Sequence, residues 1–265
     1  MSEEPSRTAT SADGVPIRYT ASGTGEPTLL FVHGWAFDRR LWEREVRRLS
    51  PRFRVVTLDL AGHGASGGDR KHWTIAAFGE DVKAVADAVG PGRLILVGHS
   101  MGGLAVLEAA RRMTGGLQAI VLVDIVLDAE QRMPPDAIEA HARPLEADYD
   151  AVTRQMVDQF LLGPATPPAV REHVIERTTA ALPPALSVAL LREVWAYDPV
   201  PALRAIDAPI RAVSADKFPT NLEVNRRHMP GYETTIVAGT GHYLMLEKPD
   251  AFAAALDGVL EPFVG

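Results

Sequence analysis

The stretch Leu94-Ile95-Leu96-Val97-Gly98-His99-Ser100-Met101-Gly102-Gly103 decides how the rest of the chain is interpreted. Its first four residues form a continuous apolar run typical of a buried strand, and helical residues are predicted to follow through Arg112. Gly98, Ser100 and Gly102 therefore form a G-x-S-x-G motif at a strand-to-helix turn. That is the position in which this motif presents a serine as a nucleophile.

The chemistry of such a turn explains why these residue types are needed. A serine at its tip has a strained backbone, and the residues two before and two after it lie against neighbouring backbone. Gly98 and Gly102 lack the Cβ atom that would clash there. Ser100 then stands beside the free N–H groups of a helix start, among them that of Met101. Because such groups stabilise an oxyanion, Met101 is a candidate oxyanion donor.

Strand-like and helix-like segments alternate on both sides of this turn. Apolar runs predict strands at residues 15–20, 28–32, 54–58, 94–97, 119–123, 210–214 and 232–237. Apolar residues at helical spacing predict helices at residues 39–49, 74–89, 221–228 and 250–260. Such alternation predicts an α/β fold, with a mostly parallel sheet and helices on both faces.

The alternation is interrupted over residues 126–205. Val152 and Met156 lie four apart there, as on a helix, and eight prolines divide residues 134–184. Because connections within a domain are usually far shorter, we expect an insertion of about four short helices. The catalytic core would then comprise residues 1–125 and 206–265, and the insertion would depend on it too closely to be a second domain.

Composition narrows the function classes further. The 265 residues are 46% hydrophobic and 23% charged, as in globular proteins. A net charge of −7 argues against nucleic acid or anionic membrane as a partner, and it favours neutral substrates. The absence of cysteine excludes disulfides, thiolate metal sites and a cysteine nucleophile. The polar N-terminus and the lack of a membrane-length apolar stretch lead us to expect a cytoplasmic protein.

Three further motifs follow other predicted strands. They are Phe31-Val32-His33-Gly34-Trp35, Asp59-Leu60-Ala61-Gly62-His63-Gly64-Ala65-Ser66 and Gly239-Thr240-Gly241-His242. Together with the serine turn, they resemble in order and spacing an α/β-hydrolase-fold serine hydrolase of the compact bacterial esterase type, over nearly the whole chain. The resemblance implies an eight-stranded, mostly parallel sheet with a helical cap inserted after strand six. It also implies an esterase with a Ser-His-Asp triad and with neither cofactor nor metal.

The triad needs a base for Ser100 and an acid to orient that base. The family order of serine, acid and then histidine points to His242, whereas His228 lies late in a predicted helix. Asp216, directly after the next-to-last predicted strand, is the preferred acid. Asp124, at the end of the preceding strand, is the alternative, since some family members use that position.

The resemblance also implies the backbone N–H of Trp35 as the second oxyanion donor. The candidate substrate-binding side chains are aromatic: Trp35, Phe160, Trp195, Phe218 and Tyr243. A serine in place of the aspartate of dehalogenases and epoxide hydrolases excludes both reactions on this resemblance. The expected reaction is hydrolysis of small to medium hydrophobic carboxylic esters or lactones through an acyl-enzyme.

Other functions remain open at this point. The same triad serves C–C bond hydrolysis, perhydrolysis of the cofactor-free haloperoxidase type and hydroxynitrile cleavage. A non-enzymatic ligand receptor on this fold is disfavoured, because a binding protein has no need of a matched triad.

Overall fold

A computed structural model describes residues 6–264, and an eight-stranded sheet runs through them. Its strands are β1 (Arg7–Thr10), β2 (Pro16–Ser22), β3 (Thr28–Val32), β4 (Arg54–Leu58), β5 (Leu94–His99), β6 (Leu117–Val123), β7 (Ile210–Ala215) and β8 (Glu233–Val237). The spatial order is β1-β2-β4-β3-β5-β6-β7-β8. The β1–β2 and β2–β4 pairs are antiparallel and the other pairs are parallel, which confirms the predicted α/β architecture.

Helices cover this sheet and fill the interval between β6 and β7. They are α1 (Glu43–Leu49), α2 (Ile75–Val89), α3 (Met101–Ala110), α4 (Pro135–Ala147), α5 (Tyr149–Met156), α6 (Pro168–Ala180), α7 (Pro184–Ala196), α8 (Val200–Leu203), α9 (Leu222–His228), α10 (Leu244–Glu247) and α11 (Pro249–Val264). A 3-10 helix (Arg39–Trp42) and a π-helix (Val157–Leu161) add one turn each.

Within residues 6–264, no single helix is long and apolar enough to cross a membrane. The helices α6 and α7, bent by 104° where they meet, have the necessary length and composition only when the two are taken together.

The side chains of β3 alternate between two cores, one on each face of the sheet. Leu30 and Val32 belong to the cluster that contains the buried residues of α2 and α3. Leu29 and Phe31 belong to the opposite cluster, with Phe252 of α11. A parallel strand that is covered on both faces buries every side chain, which is why this strand is a continuous apolar run in the sequence. Because β3, β5 and β6 are parallel neighbours, their carboxyl ends meet at one edge of the sheet.

Two details of the sequence-based prediction need correction. Strand β1 lies outside the predicted strands, because only Ala9 of its four residues is buried and an apolar period is therefore absent. The segment between β6 and β7 contains the five helices α4 to α8 rather than about four, and Pro144 lies inside α4 instead of ending it. The acidic residues Glu3 and Glu4 of the polar N-terminus lie outside the described residues.

Two buried histidines join the loops that follow β3 and β4. The Leu60 N–H donates to Nε2 of His33 at 3.0 Å, so the ring proton sits on Nδ1 and is donated to the Gly34 carbonyl at 2.7 Å. The ring of His63 lies 5.1 Å from that of His33, and its Nδ1 is 2.9 Å from the Ala61 carbonyl. Burial lowers the pKa of His33 to about 4 and that of His63 to about 3.

These two histidines make the free energy of unfolding fall as the pH drops from about 6.5 to about 4, because unfolded histidines bind protons that the buried rings do not. Each histidine contributes a slope of about 1 kcal/mol per pH unit in that window. We expect His63→Asn to remove one such slope, although it lowers stability at neutral pH. Urea unfolding of both proteins across this pH range measures it. The exposed His72→Asn is the control, and equal slopes in wild type and His63→Asn contradict the assignment.

Candidate active site

Ser100 lies at the turn between β5 and α3 in a strained conformation. Its φ of 53° and ψ of −126° belong to a region that residues with a Cβ rarely adopt. The Ser100 N–H donates to the Val123 carbonyl at 3.1 Å, and the Ser100 carbonyl accepts the Gly103 N–H at 2.8 Å. The turn is thus fixed at one end to the neighbouring strand β6 and at the other to the first turn of α3.

Close backbone packing accounts for the glycines around this serine. A Cβ on Gly98 would lie 2.5 Å from the Gly102 carbonyl oxygen, and one on Gly102 would lie 2.3 Å from the His33 carbonyl oxygen. A Cβ on Gly34 would lie 3.0 Å from the Cβ of Ser100. The serine turn therefore packs directly against the loop after β3, with no room for side chains between them.

His242 lies in the loop between β8 and α10, beside the residue that precedes Ser100. Its Nδ1 is 2.7 Å from Oδ2 of Asp124. The His242 N–H donates to the Leu161 carbonyl at 2.6 Å, and its carbonyl oxygen lies 2.8 Å from Nε2 of His99. The His99 and His242 ring centroids are 4.6 Å apart. Since burial lowers the pKa of His99 well below its ordinary value, that ring is neutral and donates its Nε2–H.

Asp124 directly follows β6 and is 7% exposed. Its N–H donates to the Val213 carbonyl at 2.9 Å, and its Oδ1 accepts the Ala215 N–H at 2.9 Å. Its φ of 50° is again in the left-handed region. With Oδ2 on His242, this carboxylate joins the ends of β6 and β7 to the histidine loop.

The preference for Asp216 as the partner of His242 is wrong. Oδ1 of Asp216 accepts the N–H groups of Gly239 at 2.8 Å and of Thr240 at 3.4 Å, so its carboxylate stabilises the turn ahead of the histidine. The hydrogen bond from Gly239 is the main cause that lowers the pKa of this exposed carboxyl. Both aspartates directly follow neighbouring parallel strands, and the left-handed backbone at Asp124 distinguishes them.

The two expected oxyanion donors lie on either side of the serine turn. Met101 is the first residue of α3, so its N–H has no acceptor within the helix. Trp35 follows Gly34, where an added Cβ would lie 3.0 Å from that of Ser100. The Trp35 indole Nε1–H donates to the Ser187 carbonyl in α7 at 3.2 Å, which ties this loop to the helical segment. Their role as oxyanion donors stays a prediction.

A cavity of about 560 Å³ opens beside His242 and Asp124. Three of the five predicted substrate-binding side chains line it: Phe160, Trp195 and Phe218. The other two predictions, Trp35 and Tyr243, are buried away from its wall. Tyr243 packs instead against the rings of Phe37 and His99, with centroids 4.9 and 5.4 Å away.

Two buried residues near the site were not predicted from the sequence. Glu247, which is 7% exposed, accepts four hydrogen-bond donors around the histidine loop, and its only sequence signal is an acidic residue that ends an apolar run. Asn225 is fully buried in α9; its Oδ1 accepts the Ala129 N–H at 2.8 Å and its Nδ2 donates to the Val126 carbonyl at 2.9 Å. It therefore holds the loop that follows Asp124.

Within residues 6–264, no cluster of three or more potential ligands suits a metal ion.

Similar proteins are found among curated sequences and among solved structures. A curated 2-(acetamidomethylene)succinate hydrolase of Mesorhizobium japonicum is 25% identical over 258 residues, 93% of this chain and 92% of that protein. A thermophilic esterase from Thermogutta terrifontis superimposes with a TM-score of 0.83 at 23% identity, over 98% of this chain and 100% of that one. A bromoperoxidase from Bacillus anthracis does so with a TM-score of 0.82 at 19% identity, over 97% and 100%.

The family model described as the alpha/beta hydrolase family matches residues 29–255, which run from β3 into α11. This range contains the serine turn, the helical segment and the histidine loop. The chain therefore belongs to the alpha/beta hydrolase family.

Proposed function

We propose that this protein is a serine hydrolase that cleaves small to medium hydrophobic carboxylic esters or lactones through a covalent acyl-enzyme, without a cofactor. One observation carries the proposal: His242 Nδ1 lies 2.7 Å from Asp124 Oδ2, in a loop bonded to the residue before the strained Ser100. A nucleophile, a base and an orienting acid are the parts that acyl transfer needs. The hydrolase and esterase among the similar proteins support the reaction class.

Each residue has a defined part in the proposed reaction. Ser100 Oγ attacks the carbonyl carbon while His242 Nε2 takes its proton, and Asp124 stabilises the resulting imidazolium. The N–H groups of Trp35 and Met101 donate to the oxyanion of the tetrahedral intermediate. His242 then protonates the departing alcohol. In the second half, a water deprotonated by His242 attacks the acyl-enzyme, which releases the acid and restores Ser100.

The helical segment between β6 and β7 is proposed to be the cap that shapes the substrate pocket. Its side chains Phe160, Val194 and Trp195 lie on the cavity wall, as does the apolar Leu104 of α3. The lining is mostly apolar, with Asp128, Arg132 and Lys217 among its charged members. A mostly apolar wall favours a hydrophobic acyl or alcohol group, since its burial drives binding. A small hydrophobic ester-like substrate as the partner, with neither nucleic acid nor membrane, and a cytoplasmic location stay predictions of this proposal.

The first prediction concerns the nucleophile. A fluorophosphonate should label Ser100, seen as a mass increase on the peptide that contains it, and should abolish p-nitrophenyl butyrate hydrolysis in parallel. Ser100→Ala should remove both labelling and turnover. Folded wild type that resists the label contradicts the proposal. Labelled wild type that turns over only vinylogous diketones, peroxide or cyanohydrins overturns the ester assignment and keeps the nucleophile.

The second prediction separates the two aspartates. Asp124→Asn removes the charge that orients His242, and loss of such a group lowers kcat by about 10⁴-fold in related triads. Asp216→Asn alters only an exposed turn and should lower kcat by less than about tenfold. Steady-state hydrolysis of p-nitrophenyl butyrate by both folded variants measures the difference. A larger loss in Asp216→Asn would refute the assignment of the acid.

The third prediction concerns the cavity. Trp195→Ala enlarges the pocket and should shift the preference among p-nitrophenyl acetate, butyrate and octanoate towards the longer acyl chains, because the added volume accepts more methylenes. The matched control is Trp73→Ala, a partly buried tryptophan outside the cavity lining, which should leave the chain-length profile unchanged. The same profile in wild type and Trp195→Ala would mean that the substrate binds elsewhere.

A further inference from the structure

The loop of His242 and the segment that ends the π-helix meet backbone to backbone. The His242 N–H donates to the Leu161 carbonyl at 2.6 Å. A Cβ on Gly241 would lie 2.4 Å from the Gly163 nitrogen, and a Cβ on Gly163 would lie 2.8 Å from the Gly241 nitrogen. Two glycines thus allow the helical segment to touch the histidine loop with no side chain between them.

One buried carboxylate closes this contact. Glu247 accepts N–H groups on both sides of His242, from Gly241 at 3.0 and 3.1 Å and from Tyr243 at 3.2 Å. It also accepts the Gly163 N–H at 2.9 Å and the Thr166 hydroxyl at 2.6 Å. Two donors therefore come from the histidine loop and two from the helical segment.

A lysine fixes the same segment from the other side. Lys217 Nζ donates to the carbonyls of Gln159 at 2.8 Å and Leu162 at 2.6 Å. The peptide unit between Leu162 and Gly163 consequently has its carbonyl bound by Lys217 and its N–H bound by Glu247. Because both groups of this peptide unit are held by charged side chains, it has little freedom to shift.

We propose that Glu247 is a positioning residue for His242, and that through it the helical segment becomes part of the support of the catalytic base. This inference rests on the proposed function. A buried carboxylate that loses half of its donors is strongly destabilised, so the two sets of donors stay together or separate together. Undocking of the segment would also leave the His242 N–H without its Leu161 acceptor. The base is therefore in place only while the helical segment is docked.

The test compares Glu247→Gln with Thr166→Val. In Glu247→Gln the amide presents N–H groups to backbone donors, which displaces the histidine loop. A misplacement of about 1 Å can cost about 10²-fold in rate, so we expect kcat for p-nitrophenyl butyrate to fall about 10²-fold and KM to change far less. Thr166→Val removes a donor from the helical segment alone, and we expect it to lower kcat several-fold although it does not touch the histidine loop.

The double variant and a matched control complete the experiment. Because both changes act through one carboxylate, the double variant should be only as slow as Glu247→Gln rather than the product of both effects. Glu45→Gln removes another buried carboxylate, one paired with Arg48 on α1, and should leave kcat unchanged. Thermal unfolding of each variant accompanies the kinetics, since a purely structural role lowers Tm and spares the kcat of the folded enzyme.

The outcomes separate this inference from the proposed function. One outcome overturns the positioning role alone. In it, the wild type is labelled and active, and a folded Glu247→Gln variant keeps the wild-type kcat. If Glu247→Gln does not fold, Thr166→Val decides: a wild-type kcat contradicts the inference and a reduced kcat with unchanged KM supports it. Wild type that neither reacts with the fluorophosphonate nor hydrolyses esters refutes the proposed function itself.

Discussion

The hydrogen bond from His242 to Asp124 is the interaction on which the rest of the site depends. At 2.7 Å it joins a loop near the end of the chain to the end of β6. The other carboxylate oxygen of Asp124 accepts the Ala215 N–H of β7, so this carboxylate is fixed to the sheet and not to a free loop. Asn225 of α9 holds the loop that follows, which keeps the left-handed backbone at Asp124 in place.

The serine turn adds a second constraint, which depends on glycines because these residues have no Cβ atom. Gly34, Gly98 and Gly102 bring three segments of backbone so close that a Cβ on any of them would meet neighbouring atoms at 3.0 Å or less. This packing aligns the turn with the loop that contains Trp35. The strained Ser100 is consequently held by its surroundings before any substrate arrives, as expected for a preorganised site.

Local features of the sequence were sufficient for the fold and for part of the site. The apolar run of β5 followed by the G-x-S-x-G turn is a contiguous pattern, and the structure has the strand, the turn and α3 where it predicts them. The choice between Asp124 and Asp216 depends on how the chain leaves two adjacent strands, which no periodicity records. Glu247 is equally hidden, since its donors at Gly163 and Thr166 are about eighty positions away in the sequence. The aromatic residues show the same limit. Trp35 and Phe160 are both candidate substrate-binding aromatics from the sequence, but only Phe160 lines the cavity.

A crystal structure of the covalent phosphonate adduct tests the central claim most directly, because the bound phosphonyl oxygen takes the place of the oxyanion. The account predicts a bond from phosphorus to Ser100 Oγ and hydrogen bonds of about 2.7–3.1 Å from the N–H groups of Trp35 and Met101 to that oxygen. It also predicts that His242 stays on Asp124. An adduct on another residue, or a His242 that turns to Asp216, would contradict it.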